Sequence, residues 1–338
     1  MSAGSFVLWR GSKHLAKAIG LLSGGLDSIL ATRIMQEQWI QVLALSFRTP
    51  FFDPARAQRA AVQLGVPLRI LDISEEHLQL VRHPRYGYGK NVNPCIDCHI
   101  LMLEKAGHLL DKEESDFLFT GEVLGQRPMS QNKQALQKVA RESGYEGLIL
   151  RPLSAKLLPA TIPEREGKVD RERLLDIQGR SRKRQLELAI RYGITDFPDP
   201  AGGCLLTDPA FSRRLRDLLA YQSHIQIRDI ELLCVGRHFR LDQSTKVVIG
   251  RRKEENERLL ELARGGDTLI RVMDYPGPIG LIPGGSQKAL TEMAASLCVR
   301  YSDAPDTIPT VVLLEKSEGE ERIESKACSQ EMCQTLII

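Results

Sequence analysis

Residues 23–28, Ser23-Gly24-Gly25-Leu26-Asp27-Ser28, stand between a short apolar run at 18–22 and a helix-like run at 29–35. Strand, glycine turn, helix is the order that builds an anion site at the carboxyl edge of a parallel sheet. Two glycines let the backbone take positive φ and aim several N–H groups at one point, and a helix beginning near Asp27 adds the positive end of its dipole. Leu26 and Leu30 are placed to pack that helix on the sheet.

The chain then repeats the pattern. Runs 41–47, 67–73, 116–120 and 147–153 read as further strands, with helices expected over 54–64, 100–110 and up to about 143. Such alternation implies right-handed β-α-β crossovers and a parallel twisted sheet with helices on both faces, an α/β fold. Ligands of these sheets bind beyond the carboxyl ends of the strands, where 23–28 falls. Residues 83–94, rich in Tyr, Gly, Asn and Pro, read as a long loop that delivers Cys95-Ile96-Asp97-Cys98-His99 to the start of a helix. Loops of that length inside a compact domain are commonly functional. A second glycine-bearing polar segment, 121–132, again follows a strand.

From 155 to 199 the chain turns helical and basic, and Gly202-Gly203-Cys204 leads into a helix over 209–221 with Asp208 as its N-cap. Beyond about 225 the pattern restarts as a smaller α+β domain, with 319–329 as a hairpin-like end or a frayed tail. The expected organisation is an N-terminal extension, 1–16, a first domain, 17–222, and a second, 225–338.

The 338 residues suffice for two cores. Their 42% hydrophobic and 26% charged residues are those of a soluble globular protein. No apolar run approaches the about 20 residues that span a bilayer, so no membrane association and a cytoplasmic location are expected. Net charge is only +3, but 178–191 and 235–253 are locally basic, as either a solvated face or an RNA-binding surface. Seven cysteines without an export signal argue against a disulfide framework. Cys234 and Cys298, inside apolar helix-like runs, are expected to be small buried hydrophobes.

The 23–28 hexapeptide lacks the endings of a Walker loop and of a dinucleotide turn. It resembles instead the PP-loop of enzymes that split ATP between the α and β phosphates. The 121–132 segment and Arg151-Pro152-Leu153 resemble those of 4-thiouridine synthetases, and Asn93-Pro94-Cys95-Ile96-Asp97-Cys98 is similar to the cysteine motif of PP-loop tRNA 2-thiouridylases. These likenesses cover roughly 17–220. With sixteen residues before the first strand, the tRNA-binding THUMP domain of 4-thiouridine synthetases is not expected. Gly250-Arg251-Arg252, 254–257 and Pro276-Gly277-Pro278 resemble an NFACT-R-type RNA-binding domain; a structural or dimerising domain is the alternative.

The resemblance implies ATP-dependent thiouridine formation in tRNA. A uridine oxygen attacks the α-phosphorus of ATP, pyrophosphate leaves with Mg²⁺, and sulfur displaces AMP. It assigns Ser23, Gly24, Gly25, Asp27, Ser28, Phe47, Gly121 and Gln126 to the nucleotide, and Asp27, Cys98 and Cys204 to catalysis. Cys95, Cys98 and Cys204 are the implied ligands of a [4Fe-4S] cluster; zinc on the same thiolates with His99, or a cysteine persulfide, are the rivals. His99 is otherwise a helix-start residue. Implied partners are tRNA and a sulfur donor, free sulfide or a cysteine desulfurase, with a homodimer left open. A small-molecule sulfur transferase and a non-catalytic RNA-binding module are the competing functions.

Overall fold

The computed structural model describes residues 15–198 and 204–338. Their contacts gather into two compact units, residues 15–89 with 94–198, and residues 90–93 with 204–338.

In the first unit, β1 (Lys17–Leu21), α1 (Leu26–Glu37), β2 (Gln41–Arg48), α2 (Ala55–Leu64), β3 (Leu68–Asp72), α3 (Ser74–Arg82), α4 (Cys95–Gly107), β4 (Phe117–Thr120), α5 (Lys133–Glu142), β5 (Ile149–Leu150), α6 (Ile162–Arg165) and α7 (Lys183–Arg191) follow in turn. All five strands are parallel, in the order β3-β2-β1-β4-β5. The order reverses at β1, so β1 and β4 diverge into helices on either side of a crevice at their carboxyl ends, where Leu21 pairs with Thr120. Alternation along the strands feeds two cores. Ala18, Ala44, Phe117 and Phe119 point into one with α1 and α2, and Ile19, Leu45, Phe47 and Leu118 into the other with α4 and α5. Gly20 makes room for Phe119, since a Cβ there would come within 2.2 Å of the ring. Burying such a side chain contributes about 1.5–3 kcal/mol.

Two expectations shift. Helix α4 begins at Cys95 rather than at residue 100, because Asp97 Oδ1 and Oδ2 accept the backbone N–H groups of Arg85 and Tyr86 and so clip the preceding loop onto the first turn. The fifth strand is only two residues long, and 155–198 is broken into short helices rather than continuous ones.

The second unit holds α8 (Pro209–Tyr221), α9 (Ile227–Leu233), β6 (Arg237–Arg240), β7 (Lys246–Ile249), α10 (Lys253–Leu262), β8 (Thr268–Val272), β9 (Ile279–Ile282), α11 (Lys288–Arg300), β10 (Thr310–Lys316), β11 (Gly319–Ser325) and α12 (Gln330–Leu336). Its six strands form an antiparallel sheet, β11-β10-β8-β9-β7-β6. Helix α11 covers one face through Ala294, Ala295 and Cys298, and α9 and α10 the other through Leu232 and Leu259. The division falls earlier than the expected 222/225 boundary because α8 is tied to this unit. Asp217 pairs with Arg240, and Arg214 Nη1 donates to Leu233 O at 2.9 Å. Residues 319–325 do form a hairpin with β10, and α12 follows in place of a frayed tail. Cys298 is buried as expected, but Cys234 is exposed at the end of α9. Among the described residues no helix is long and apolar enough to cross a membrane.

Candidate active site

The loop 23–28 lies at the crevice between β1 and β4. Gly24 takes φ +75°, and a Cβ on it would lie 2.4 Å from the Arg56 backbone, so only glycine fits the turn. Gly25 precedes α1 in extended conformation and no side chain caps the helix; Ser28 N–H donates to Gly25 O at 3.0 Å, which leaves the N–H groups of Leu26 and Asp27 for a ligand. Ser23 Oγ and Ser28 Oγ are 3.3 Å apart, and Ser28 Oγ donates to Gly25 O at 2.8 Å. Gly121 presses the loop after β4 against this turn, since a Cβ there would lie 2.5 Å from Ser28 N.

Asp27 is held from the far side. Gln126 Nε2 donates to its Oδ2 at 2.6 Å, and Gln185 Nε2 of α7 donates to Gln126 Oε1 at 3.0 Å. Asp27 Oδ1 is buried and finds no hydrogen-bond partner among the described residues. A carboxylate oxygen desolvated without a donor is costly unless a cation or ligand completes it, so the donor set fits Mg²⁺ beside a phosphate. Phe47, the last residue but one of β2, lies inside the core, its ring packed among apolar side chains. Sequence reasoning misses Gln185; the signal for it is a lone amide on the apolar face of an otherwise charged helix.

A second network braces the cysteine helix. Glu122, next to Gly121, is buried and accepts from Arg151 Nε at 2.9 Å and from Thr120 Oγ1 at 3.0 Å, and its Oε1 is 2.8 Å from His99 Nδ1. Burial would raise the Glu122 carboxyl, but Arg151 and His99 outweigh it and bring it down to about 2. His99 is thus a fixed ring with its Nδ1 engaged, more than a residue that starts a helix.

Cys95 and Cys98 occupy the first turn of α4, three residues apart and therefore on one face. Cys98 Sγ lies 3.2 Å from His77 Nε2. His77 packs between Phe51 and Phe52, ring centroids 5.3 and 5.4 Å away, and burial pushes it down to about 4, so it is neutral at neutral pH. Its Nδ1 is buried with no partner among the described residues. Cys204 opens a 3₁₀ turn, Leu205–Thr207, of the second unit, and Gly202 and Gly203 before it lie outside the described residues. Asn91, four residues ahead of Cys95, donates from Nδ2 to Thr207 O at 2.8 Å within that unit. Among the described residues no three His, Cys, Asp or Glu side chains form a set able to hold a metal ion. None of the seven cysteines is in a disulfide.

The two basic stretches fare differently. In 235–253, folding supplies carboxylates that the local sequence does not contain, with Arg240 paired to Asp217 and Arg251 to Glu255. In 178–191, among the described residues, only Arg184 is paired with a carboxylate, that of Asp176.

Residues 16–163 match the family described as tRNA methyl transferase HUP domain, and residues 236–337 that described as NFACT protein RNA binding domain. The chain is 33% identical to a tRNA-specific 2-thiouridylase of Syntrophotalea carbinolica over 32% of its own length and 34% of that protein. It is 26% identical to one of Trichlorobacter lovleyi over 80% of its length and 74% of that protein. It thus spans about a third of the first relative. A solved 4-thiouridine synthetase–RNA complex with bound ATP matches at 24% identity and TM-score 0.32, over 40% of this chain and 36% of that one, too loosely to argue from. With the parallel sheet, the glycine loop at its switch point and the separate antiparallel domain, these matches give residues 16–163 the likeness of a HUP domain of PP-loop type and residues 236–337 that of an NFACT-type RNA binding domain, and make the chain similar to the tRNA 2-thiouridylases.

Proposed function

We propose that this protein replaces a uridine carbonyl oxygen of tRNA with sulfur at the expense of ATP. The observation that carries the reading is Asp27, fixed by Gln126 at the open end of α1 with one buried oxygen left unsatisfied. The uridine oxygen attacks the α-phosphorus of ATP while the bond to the bridging oxygen breaks. Pyrophosphate is received in the loop of Ser23, Gly24, Gly25 and Ser28, at the positive end of the α1 dipole. Asp27 Oδ1 would hold Mg²⁺, which neutralises charge building on the leaving group. Gly121 and Gln126 flank the nucleotide. Sulfide then adds to the activated carbon and AMP departs with the former carbonyl oxygen.

Sulfur is assigned to Cys95, Cys98 and Cys204. A [4Fe-4S] cluster on these thiolates would supply an open iron to bind sulfide. What supports the donor set is the i, i+3 placement of Cys95 and Cys98 on one face of the first turn of α4. A persulfide on Cys98 is the second reading, favoured by the contact with His77.

The test is mass spectrometry of tRNA nucleosides from cells with the wild-type chain and with Asp27→Ala, together with pyrophosphate release in vitro. A thiouridine lost in the variant, and pyrophosphate release stimulated by tRNA, are expected. Normal pyrophosphate release by Asp27→Ala would remove the ATP site from this loop, and ATP cleavage indifferent to tRNA would point to a small-molecule acceptor.

A further inference from the structure

Helix α1 starts at the nucleotide loop and runs twelve residues, about 18 Å, to the opposite edge of the sheet. There Trp39 stands in the connection to β2 with φ +62° and its side chain 79% exposed. A bulky residue in the left-handed region is strained, and Gly or Asn would make the same turn more easily. The indole packs into no core. A hollow of about 610 Å³ opens beside it, lined by Arg33, Glu37, Arg173, Arg191 and Tyr192.

The charges of this hollow are unbalanced. Arg33, Arg173 and Arg191 form no ion pair with a carboxylate among the described residues. The one carboxylate, Glu37, is engaged by the Tyr192 hydroxyl at 2.8 Å, and its backbone oxygen by Arg173 Nη2 at 2.6 Å. Arg33 and Arg191 sit 5.9 and 5.8 Å from the Tyr192 ring centroid, which orients both guanidinium groups while leaving their charge to solvent.

We propose that this hollow docks a single-stranded segment of RNA, with a base stacked on Trp39 and phosphates taken by Arg33, Arg173 and Arg191. Unpaired guanidinium groups around a projecting aromatic ring are what a flexible polyanion with exposed π-faces requires. A duplex hides its base faces and could not use the indole. The inference rests on the tRNA substrate proposed above and places a second contact of that substrate far from the nucleotide loop.

The full chain is tested by fluorescence anisotropy without ATP, using a tRNA transcript, a 12-nucleotide oligouridylate and a 12-base-pair RNA duplex at several salt concentrations. Trp39→Gly relieves the backbone strain, so it should fold, and it should bind the oligouridylate roughly 5- to 100-fold more weakly. Trp39→Phe should retain most of the affinity. Arg33→Gln with Arg191→Gln should flatten the slope of log K against log salt by about 1.4, at about 0.7 per single-strand phosphate. Unchanged affinity in Trp39→Gly, or a duplex that competes as well as the single strand, would overturn the proposal. If wild-type protein binds tRNA and these variants do so equally, the surface alone falls. If wild-type protein binds no tRNA, the substrate reading falls with it.

Discussion

Gln126 Nε2 donates to Asp27 Oδ2 at 2.6 Å, and because an ionised carboxylate only accepts, this bond fixes which end of the Gln126 amide faces the loop. The other end must then accept, and it does so from Gln185. A residue of α7 is in this way joined to the nucleotide loop through two amides.

Replacing Gln185 therefore acts at a distance. Gln185→Leu should leave the protein folded but slow pyrophosphate release by about 10- to 100-fold, the scale on which small misplacements of a reacting group are felt. Gln185→Glu should be worse, because a carboxylate cannot donate to Gln126 and would turn its amide so that its oxygen faces Asp27. Steady-state kinetics of pyrophosphate release checks both; equal rates in wild type and Gln185→Glu would show that the relay does not matter.

Glu122 and Arg151 are both buried, so removing one charge strands the other. Glu122→Gln should cost about 3–5 kcal/mol, the usual penalty for leaving a buried partner unpaired. A thermal melt resolving the first unit would show it as a fall of about 2–4 °C per kcal/mol. The pH dependence has a definite sign. With its carboxyl held near 2, below the ordinary value of 4.5, Glu122 contributes stability that is complete above pH 4.5 and is lost as the pH falls toward 2. That acid slope should shrink in Glu122→Gln.

His77 sets a milder window. Its ring titrates near 4 in the fold and at the ordinary 6.5 when unfolded, so the unfolded chain binds the extra proton between those values. Stability should fall on acidification from pH 6.5 to 4 by about 1.4 kcal/mol per unit. Urea melts at pH 7, 5.5 and 4.5 compare wild type with His77→Gln, and an identical loss in both would mean that another group titrates.

The parallel sheet, the place of the glycine loop at a strand's carboxyl end and the separate second domain are legible in the sequence because each rests on local pattern, whereas the strand order is not. Apolar runs, glycines and spacing carry that information within a few residues. The networks are not legible. Glu122 and His99 lie 23 residues apart, His77 and Cys98 lie 21 apart, and Gln126 and Gln185 lie 59 apart, so no window of sequence joins them. The charge of 235–253 is overcounted for the same reason, since Asp217, which neutralises Arg240, comes from a helix 23 residues upstream. Cys234 reads as buried from its apolar neighbours, yet it falls at a helix end where the face turns outward.

The cysteines offer the sharpest test of the sulfur chemistry. Cys95 and Cys98 share one face of the first turn of α4, and Cys204 begins a turn in the second unit, so a common ligand set requires those two turns to meet. Anaerobic reconstitution with iron and sulfide should then give a brown protein with about four irons per chain and broad absorbance at about 400 nm. Alanine at Cys95, Cys98 or Cys204 should abolish both colour and thiolation. Cys234→Ala, at an exposed site, should change neither, and Cys298→Ala should keep both while lowering stability, because that thiol is fully buried against Gly280. Persulfide chemistry makes a different forecast, since it needs no iron and its sulfur can be trapped on Cys98 by alkylation and found by mass spectrometry. A colourless protein that still thiolates tRNA and carries a trapped persulfide on Cys98 would replace the cluster with that chemistry. A colourless protein holding one zinc per chain would instead leave these cysteines a structural task.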